Sequence, residues 1–239
     1  MKRPYVICHI LSSLDGKING PFMGTESVSM LGAEYGKFRT KMAADAWMYG
    51  TTTTKEFINF RKPVLAEECE VPQGDFIADN QAELYYISLD VDGEIGWESG
   101  IFSNKGRTPA HVIEVLTEST PTAYKDYLRK RGVSYIIAGE KNLDCKLAME
   151  KLYEYFQIEK VLICGGGVIN WSFLQAGMID ELNLFLAPVS DGSSGKASVF
   201  TQIPSLSEGK PVEFLLKDME KIGDGGLRLN YLVKNVEQK

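Results

Sequence analysis

Histidine is nearly absent: His9 and His111 are the only two in 239 residues, and they sit in unrelated local patterns. The four cysteines, Cys8, Cys69, Cys145 and Cys164, share no C-x-x-C spacing. A structural zinc centre and a zinc-deaminase site are therefore both disfavoured, and no metal is expected. The same spacing argues against a disulfide framework, so the thiols read as buried groups in a reducing compartment. A basic surplus is missing too, because 26 Lys and Arg face 32 Asp and Glu for a net charge of −6. Nucleic acid, which needs a basic face to displace counterions, is not an expected partner. A small anion remains compatible, since a local pocket can be positive on an acidic molecule. No apolar run approaches the roughly 20 residues of a membrane span, and Asp15-Gly16 interrupts the N-terminal apolar stretch where a cleavable signal would need to continue. The expectation is a cytoplasmic protein with a small-molecule ligand and no membrane. Its length lies in the single-domain range, so residues 1–239 are expected to form one domain.

Strand-length apolar runs alternate with helical patterns. Strands are expected at 5–11, 46–50, 84–91, 111–117, 133–138, 160–164, 181–188, 212–221 and 227–236. Helices are expected at 27–42, 121–131, 144–156 and 169–176, with Thr51 to Thr54 capping a further one. Residues 60–82, with Pro63, Pro72 and Gly74, read as a surface excursion. The alternation implies an α/β fold: a mainly parallel sheet covered by helices on both faces, with antiparallel strands at the C-terminal end.

The most informative segment is Val161-Leu162-Ile163-Cys164-Gly165-Gly166-Gly167-Val168-Ile169-Asn170. A buried strand runs into three glycines and then a helix. Glycine lets backbone approach a bulky anion, and a helix N-terminus offers amides without intrahelical partners. A phosphate or diphosphate on the amides of residues 166–170 fits that chemistry; so does a tight turn with no ligand. It is neither a G-x-G-x-x-G fingerprint nor a Walker loop with its lysine. Near the N-terminus, Ser12-Ser13-Leu14-Asp15-Gly16-Lys17-Ile18 directly follows the first strand. Hydroxyls there suit a carboxamide, while Asp15 and Lys17 could orient a hydroxylated substrate. A plain surface turn explains the same residues.

Taken in order, SSLDGKI, the strand–GGGVIN–helix unit and FLQAGMIDELNLFLAPV resemble the riboflavin-biosynthesis reductases, the reductase domains of bifunctional deaminase–reductases. The resemblance runs from about Val6 to Leu232. It implies a three-layer dihydrofolate-reductase-like sheet, usually a homodimer, with NADPH across the C-terminal strand ends. Ser12 and Thr53 would contact the cofactor, and Gly165, Gly166, Gly167, Val168, Ile169 and Asn170 would hold its phosphates. Asp15 and Lys17 would act catalytically, with Ser27 and Lys41 facing the substrate. In the family reaction a ribosylamino group opens to an imine and its C1′ accepts a hydride. No deaminase half precedes these motifs, so the chain looks like a stand-alone reductase.

Two departures stand against the pattern. Cys164 occupies the place where the family has an acidic residue before the glycines. The Asp-Pro-x-Leu-like element after Thr53 is replaced by Lys55-Glu56-Phe57-Ile58-Asn59-Phe60-Arg61-Lys62-Pro63, leaving Arg61 as the candidate for the substrate phosphate. The cofactor half is better kept than the substrate half. The alternatives are a related reductase acting on a pterin or an aldehyde, and a non-catalytic nucleotide-binding protein.

Overall fold

The computed structural model describes residues 2–104, 108–206 and 209–234. The chain divides into two compact units that interleave along the sequence, one built chiefly from Asp45–Val161 and the other from Tyr5–Ala44 with Leu162–Lys239.

In the first unit, β2 (Ala46–Gly50), β3 (Tyr85–Leu89), β5 (Ala110–Leu116) and β6 (Ser134–Ile137) run parallel as neighbours in that order. Every residue of β2, β3 and β5 is buried, as expected of parallel strands covered on both faces. A two-residue strand, β4 (Ile101–Phe102), pairs antiparallel with the start of β5. It is too short to leave a periodic signal, and the sequence pattern missed it. The helices are α2 (Thr51–Phe57), α3 (Thr122–Lys130) and α4 (Cys145–Phe156). Asp144 caps α4 by accepting from the amides of Lys146 and Leu147, both at 3.0 Å.

The threonine run is the opening of α2 and not its cap. Thr51 donates to the Leu89 carbonyl, and the Thr54 hydroxyl meets Tyr86 Oη at 3.0 Å. The excursion at 60–82 is also more tightly held than its composition suggests. Phe76 makes an isolated bridge to Tyr135, Asp75 accepts from the Ile137 amide, and Lys151 grips both Asp75 carboxylate oxygens at 2.8 and 3.0 Å. These contacts occupy the outer side of β6 and satisfy backbone groups that an edge would leave open.

The second unit holds β1 (Tyr5–Ser12) parallel to β8 (Glu181–Leu186), then β10 (Gly226–Val233) and β9 (Phe214–Ile222), both pairings antiparallel. Residues 235 and 236 of the expected last strand lie outside the described residues. β7 (Lys160–Ile163) leads from the first unit into the second, where α5 (Gly167–Gln175) follows it. α5 begins two residues earlier than the sequence suggested, because Gly167 and Val168 already adopt helical geometry. Parallel pairings predominate, with antiparallel strands at the C-terminal end, which is the mixed α/β class expected from the sequence.

α1 (Glu26–Lys41) packs on one face of this second set. Leu11, Phe22, Val28, Leu31, Phe185 and Ala187 form the core there, with Tyr35 and Phe38 against it. Within this apolar layer lies His9, fully buried and stacked on Tyr35 at 4.0 Å, with Nδ1 3.0 Å from Asn183 Oδ1 and Nε2 3.1 Å from the Tyr35 carbonyl.

Burial lowers the His9 pKa from 6.5 to about 4. The unfolded imidazole takes up a proton near pH 6.5, whereas the folded one stays neutral until about 4. Stability should therefore fall as pH drops through that window, by up to about 3 kcal/mol at 1.36 kcal/mol per unit. Urea unfolding between pH 7 and 4 should show this loss, and His9→Gln should flatten it (both pH limits bracket roughly the window above).

Candidate functional site

In the second unit β1 ends at buried Ser12, whose carbonyl accepts from the Ala187 amide at 2.8 Å. The chain then folds into a tight loop. Ser13 N donates to the Lys17 carbonyl, Gly16 N to the Ser13 carbonyl, and Lys17 N to Ser13 Oγ, all at 2.9 Å. Gly16 sits at φ 76°, a left-handed geometry suited to the Asp-Gly turn.

The Asp15 carboxylate is fully employed in this loop. Oδ1 accepts from Ser13 Oγ at 2.6 Å and from the Asp191 amide at 3.0 Å; Oδ2 accepts from the Gly192 amide at 2.9 Å. Those backbone donors, Asp191 first, hold its pKa well below the usual carboxylate range. Asp191 in turn accepts from the amides of Phe22 and Ser193. A second carboxylate thus stands beside Asp15, one that sequence spacing did not suggest, since 176 residues separate the two.

A strap at residues 196–201 continues the assembly. Lys17 forms an isolated antiparallel bridge with Ser198, Ile18 N donates to the Ala197 carbonyl at 3.0 Å, and Val199 N donates to the Gly16 carbonyl at 3.1 Å. The far end of the strap reaches α5, where Thr201 N donates to the Gly167 carbonyl at 2.9 Å and Asn170 Nδ2 donates to the Val199 carbonyl at 2.7 Å. Ser198 Oγ donates to the Phe200 carbonyl and meets Thr201 Oγ1 at 3.1 Å. Sequence reasoning missed the strap; its only local signal is the turn-rich Ser190-Asp191-Gly192-Ser193-Ser194-Gly195 ahead of it.

The three glycines do different work. Gly165 and Gly166, at φ 137° and 100°, hold backbone geometry that L side chains rarely adopt. A Cβ at Gly165 would meet only Ile10 Cδ1, at 3.8 Å. A Cβ at Gly167 would fall 2.2 Å from the Ser198 carbonyl oxygen and 2.5 Å from Thr201 Oγ1. Gly167 is therefore needed for the strap's approach. The Asn170 amide closes the first turn of α5 on the Gly166 carbonyl, and helix geometry leaves Gly167, Val168 and Ile169 N–H without intrahelical acceptors. Asn170 Oδ1 is buried with no hydrogen-bond partner. These donors after a side-chain-free turn fit a phosphate-bearing cofactor.

The remaining candidates are spread out. Ser27 lies in the first turn of α1 and lines a cavity of 440 Å³ with Met30, Leu31, Phe38, Pro188 and the 223–226 turn. Lys41 ends the same helix, its ammonium 5.4 Å from the Phe38 ring centre. At 1.5 Å rise per residue these two positions stand roughly 21 Å apart along the axis, so α1 does not bring them together. Thr53 and Arg61 belong to the first unit. Thr53 is half-buried in the opening turn of α2, and Arg61 pairs with Glu98 at 2.6 Å. Cys164 is buried, its thiol 3.7 Å from the Leu162 carbonyl.

The chain matches the family described as the RibD C-terminal domain over residues 4–227. A Methanothermobacter thermautotrophicus protein named 2,5-diamino-6-ribosylamino-4(3H)-pyrimidinone 5′-phosphate reductase is 28% identical over 204 residues, covering 80% of both chains. The Aquifex aeolicus protein of the same name is 25% identical over 205 residues, again with 80% of each covered. Among solved structures, a pyrimidine reductase-like protein from Corynebacterium diphtheriae superposes with a TM-score of 0.69 at 17% identity, over 97% of this chain and 92% of that one. That likeness is one of fold.

Gly167→Ala should force the strap away from α5. Overpacking of this kind costs about 1–3 kcal/mol, and a lowered thermal midpoint would report it. Gly165→Ala should leave strap packing untouched and act only through its own backbone strain.

Proposed function

The chain belongs to the RibD C-terminal domain family, and on that premise we infer that this oxidoreductase of riboflavin biosynthesis passes a hydride from NADPH to a ribosylamino-pyrimidine phosphate. The substrate class follows the printed names of its relatives, which reduce 2,5-diamino-6-ribosylamino-4(3H)-pyrimidinone 5′-phosphate; the corresponding 5-amino-uracil is the deaminated form of the same acceptor. One observation carries the proposal: the strap ties the Ser12–Lys17 loop and the start of α5 into one frame.

In this proposal the amides of Gly166 to Ile169 hold the cofactor phosphates and Ser12 lies beside its carboxamide; Thr53, in the first unit, keeps the cofactor role that the family resemblance gives it. The bound nicotinamide supplies the hydride, and the protein supplies alignment and charge. Lys17 is the cation that orients the sugar hydroxyls. Asp15 serves by holding the Lys17 loop against residues 191–192, since its oxygens are already engaged. Ser27 faces the pyrimidine side; Arg61, in the first unit, keeps the substrate-phosphate role that the family resemblance gives it. Lys41, at the far end of α1, is left without a role. Residues 4–227, the matched region, draw on both units, which supports one reductase domain.

Cys164 supports a second reading. A buried thiol stands where the family resemblance places an acidic contact, so a reductase acting on another acceptor, a pterin or an aldehyde, is the alternative.

The proposed assembly is a homodimer in the cytoplasm. β9 is the outer strand beside β10 and exposes Leu215, Leu216 and Met219 at 55, 47 and 67%, an apolar strip of the kind that marks an interface. None of the described cysteines forms a disulfide. Sedimentation equilibrium should give twice the chain mass, and Met219→Glu should shift it toward the monomer.

Spectrophotometric NADPH oxidation should proceed with the ribosylamino-pyrimidine phosphate and not with dihydropterin or simple aldehydes. Lys17→Met should lower kcat/KM by roughly 100-fold, the scale of a lost positioning contact. Failure to oxidise NADPH with either pyrimidine, deaminated or not, would sink the proposal.

A further inference from the structure

The first unit buries two carboxyl groups that no step above uses. Glu114 lies in β5 opposite Ser88 of β3 and is fully buried. Its Oε1 accepts from Trp97 Nε1, while Oε2 has no partner in good hydrogen-bond geometry among the described residues and the Ser88 hydroxyl stands close by. Asp90, directly after β3, is equally buried. Its Oδ2 accepts from the amides of Glu94 and Ile95 at 2.7 and 2.8 Å, while Oδ1 has no partner in good hydrogen-bond geometry among the described residues and the Tyr124 hydroxyl stands close by.

Both carboxyls anchor the same segment. Asp90 ties it at 94–95 and Glu114 at Trp97. Tyr124 Oη donates to the Ile95 carbonyl at 3.0 Å and Tyr127 Oη to the Trp97 carbonyl at 2.6 Å. The segment also seats Arg61, because Gly96 N donates to the Arg61 carbonyl at 3.0 Å and Glu98 pairs with its guanidinium at 2.6 Å. The approach is close: a Cβ at Gly96 would lie 2.6 Å from the Lys62 carbonyl. Lys55 of α2 reaches Glu94 at 2.6 Å.

We propose that Asp90 and Glu114 hold one proton between them at neutral pH, and that this singly protonated pair is the clasp that positions residues 94–98 and, through them, Arg61. Two ionised carboxylates buried on adjacent strands would oppose each other's ionisation. The groups that hydrogen-bond them, the Glu94 and Ile95 amides and Tyr124 for Asp90, Trp97 and Ser88 for Glu114, are all uncharged donors. Around the pair stand Ser88 and Tyr86 from β3, Thr54 from α2, Trp97 from the segment itself, Tyr124 and Tyr127 from α3, and the Glu94 carboxylate. The groups acting on Glu114 are Asp90, Trp97 and Ser88, and none is a cation. Burial is the leading cause that raises both carboxyls above their ordinary values, with each other's charge adding for Glu114. The folded state therefore keeps a proton that the unfolded chain gives up, and the clasp weakens as pH rises through the pair's raised titration. Asp90 and Glu114 are positioning residues: they act on Arg61 only through the segment.

The substrate consequence rests on the reductase reading; the proton does not. Infrared difference spectra of the whole chain between neutral and alkaline pH should show a protonated carboxyl C=O band at neutral pH that disappears as the pH rises, with a change in Trp97 emission. Glu114→Gln keeps an oxygen for Trp97 and should remain folded, but lose the band and the alkaline transition. Asp90→Asn should move the Glu114 transition to lower pH, because the opposing charge is gone. No protonated band at neutral pH, or an Asp90→Asn transition that stays in place, overturns the shared proton. In kinetics, KM for the ribosylamino-pyrimidine phosphate should rise on the alkaline side in the unaltered enzyme and stay level in Glu114→Gln. A band that behaves as expected with a KM that does not move overturns the link to Arg61. If no pyrimidine is reduced at all, the spectra still decide the proton, and only the function assigned above fails.

Discussion

The backbone ladder between residues 16–18 and 197–199 and its continuation onto the Gly167 carbonyl hold the candidate site of the second unit together. Neither the 12–17 loop nor the start of α5 has enough local hydrogen bonding to fix its position on the other. Backbone donors and acceptors in such loops need partners, and the strap supplies them to both. This explains why the third glycine is required: with the Ser198 carbonyl 2.2 Å from a would-be Cβ, any side chain at 167 would push the strap off the helix. The glycine motif thus meets two demands, freedom of backbone geometry at 165 and 166 and bare packing surface at 167.

Each unit buries an ionisable group in its apolar interior, and the two respond to pH with opposite sign. His9 is kept neutral by losing its proton, its ring sandwiched with Tyr35 and edge-on to Phe185. The Asp90–Glu114 pair sheds one of its two charges by retaining a proton. Both follow from the same cost of carrying charge into a poorly solvated interior. The fold is therefore poised for neutral conditions, squeezed by His9 from the acid side and by the carboxyls from the alkaline side.

The family pattern is kept unevenly for physical reasons that the structure makes visible. The turn that would carry phosphates retains the backbone freedom and helix start it needs. Cys164 before the turn is buried, and the segment after α2 is held by Gly96 and Glu98 through Arg61. Residues 72–78, which look like loop by composition, instead extend the hydrogen bonding of β6 through Phe76 and Asp75. A fold shared at 17% identity with a solved reductase-like structure tolerates such rewriting because the buried strands carry it.

What the sequence alone determined was local: strand runs whose side chains have no choice but burial, the helical stretches between them, the glycine turn after β7 and the antiparallel strands at the C-terminal end. Each is written in a few consecutive residues, by propensity, spacing or a geometry that only glycine adopts comfortably. The tertiary structure decided everything that depends on partners far along the chain. It assigned the Asp15 carboxylate to amides 176 and 177 residues away, laid the 196–201 strap over Gly167, and set Glu114 against Trp97 and the buried Asp90 beside them. Hydrogen bonds and charge pairs of that range leave no periodic trace in sequence, because the energy that selects them is paid only once the strands between them have packed.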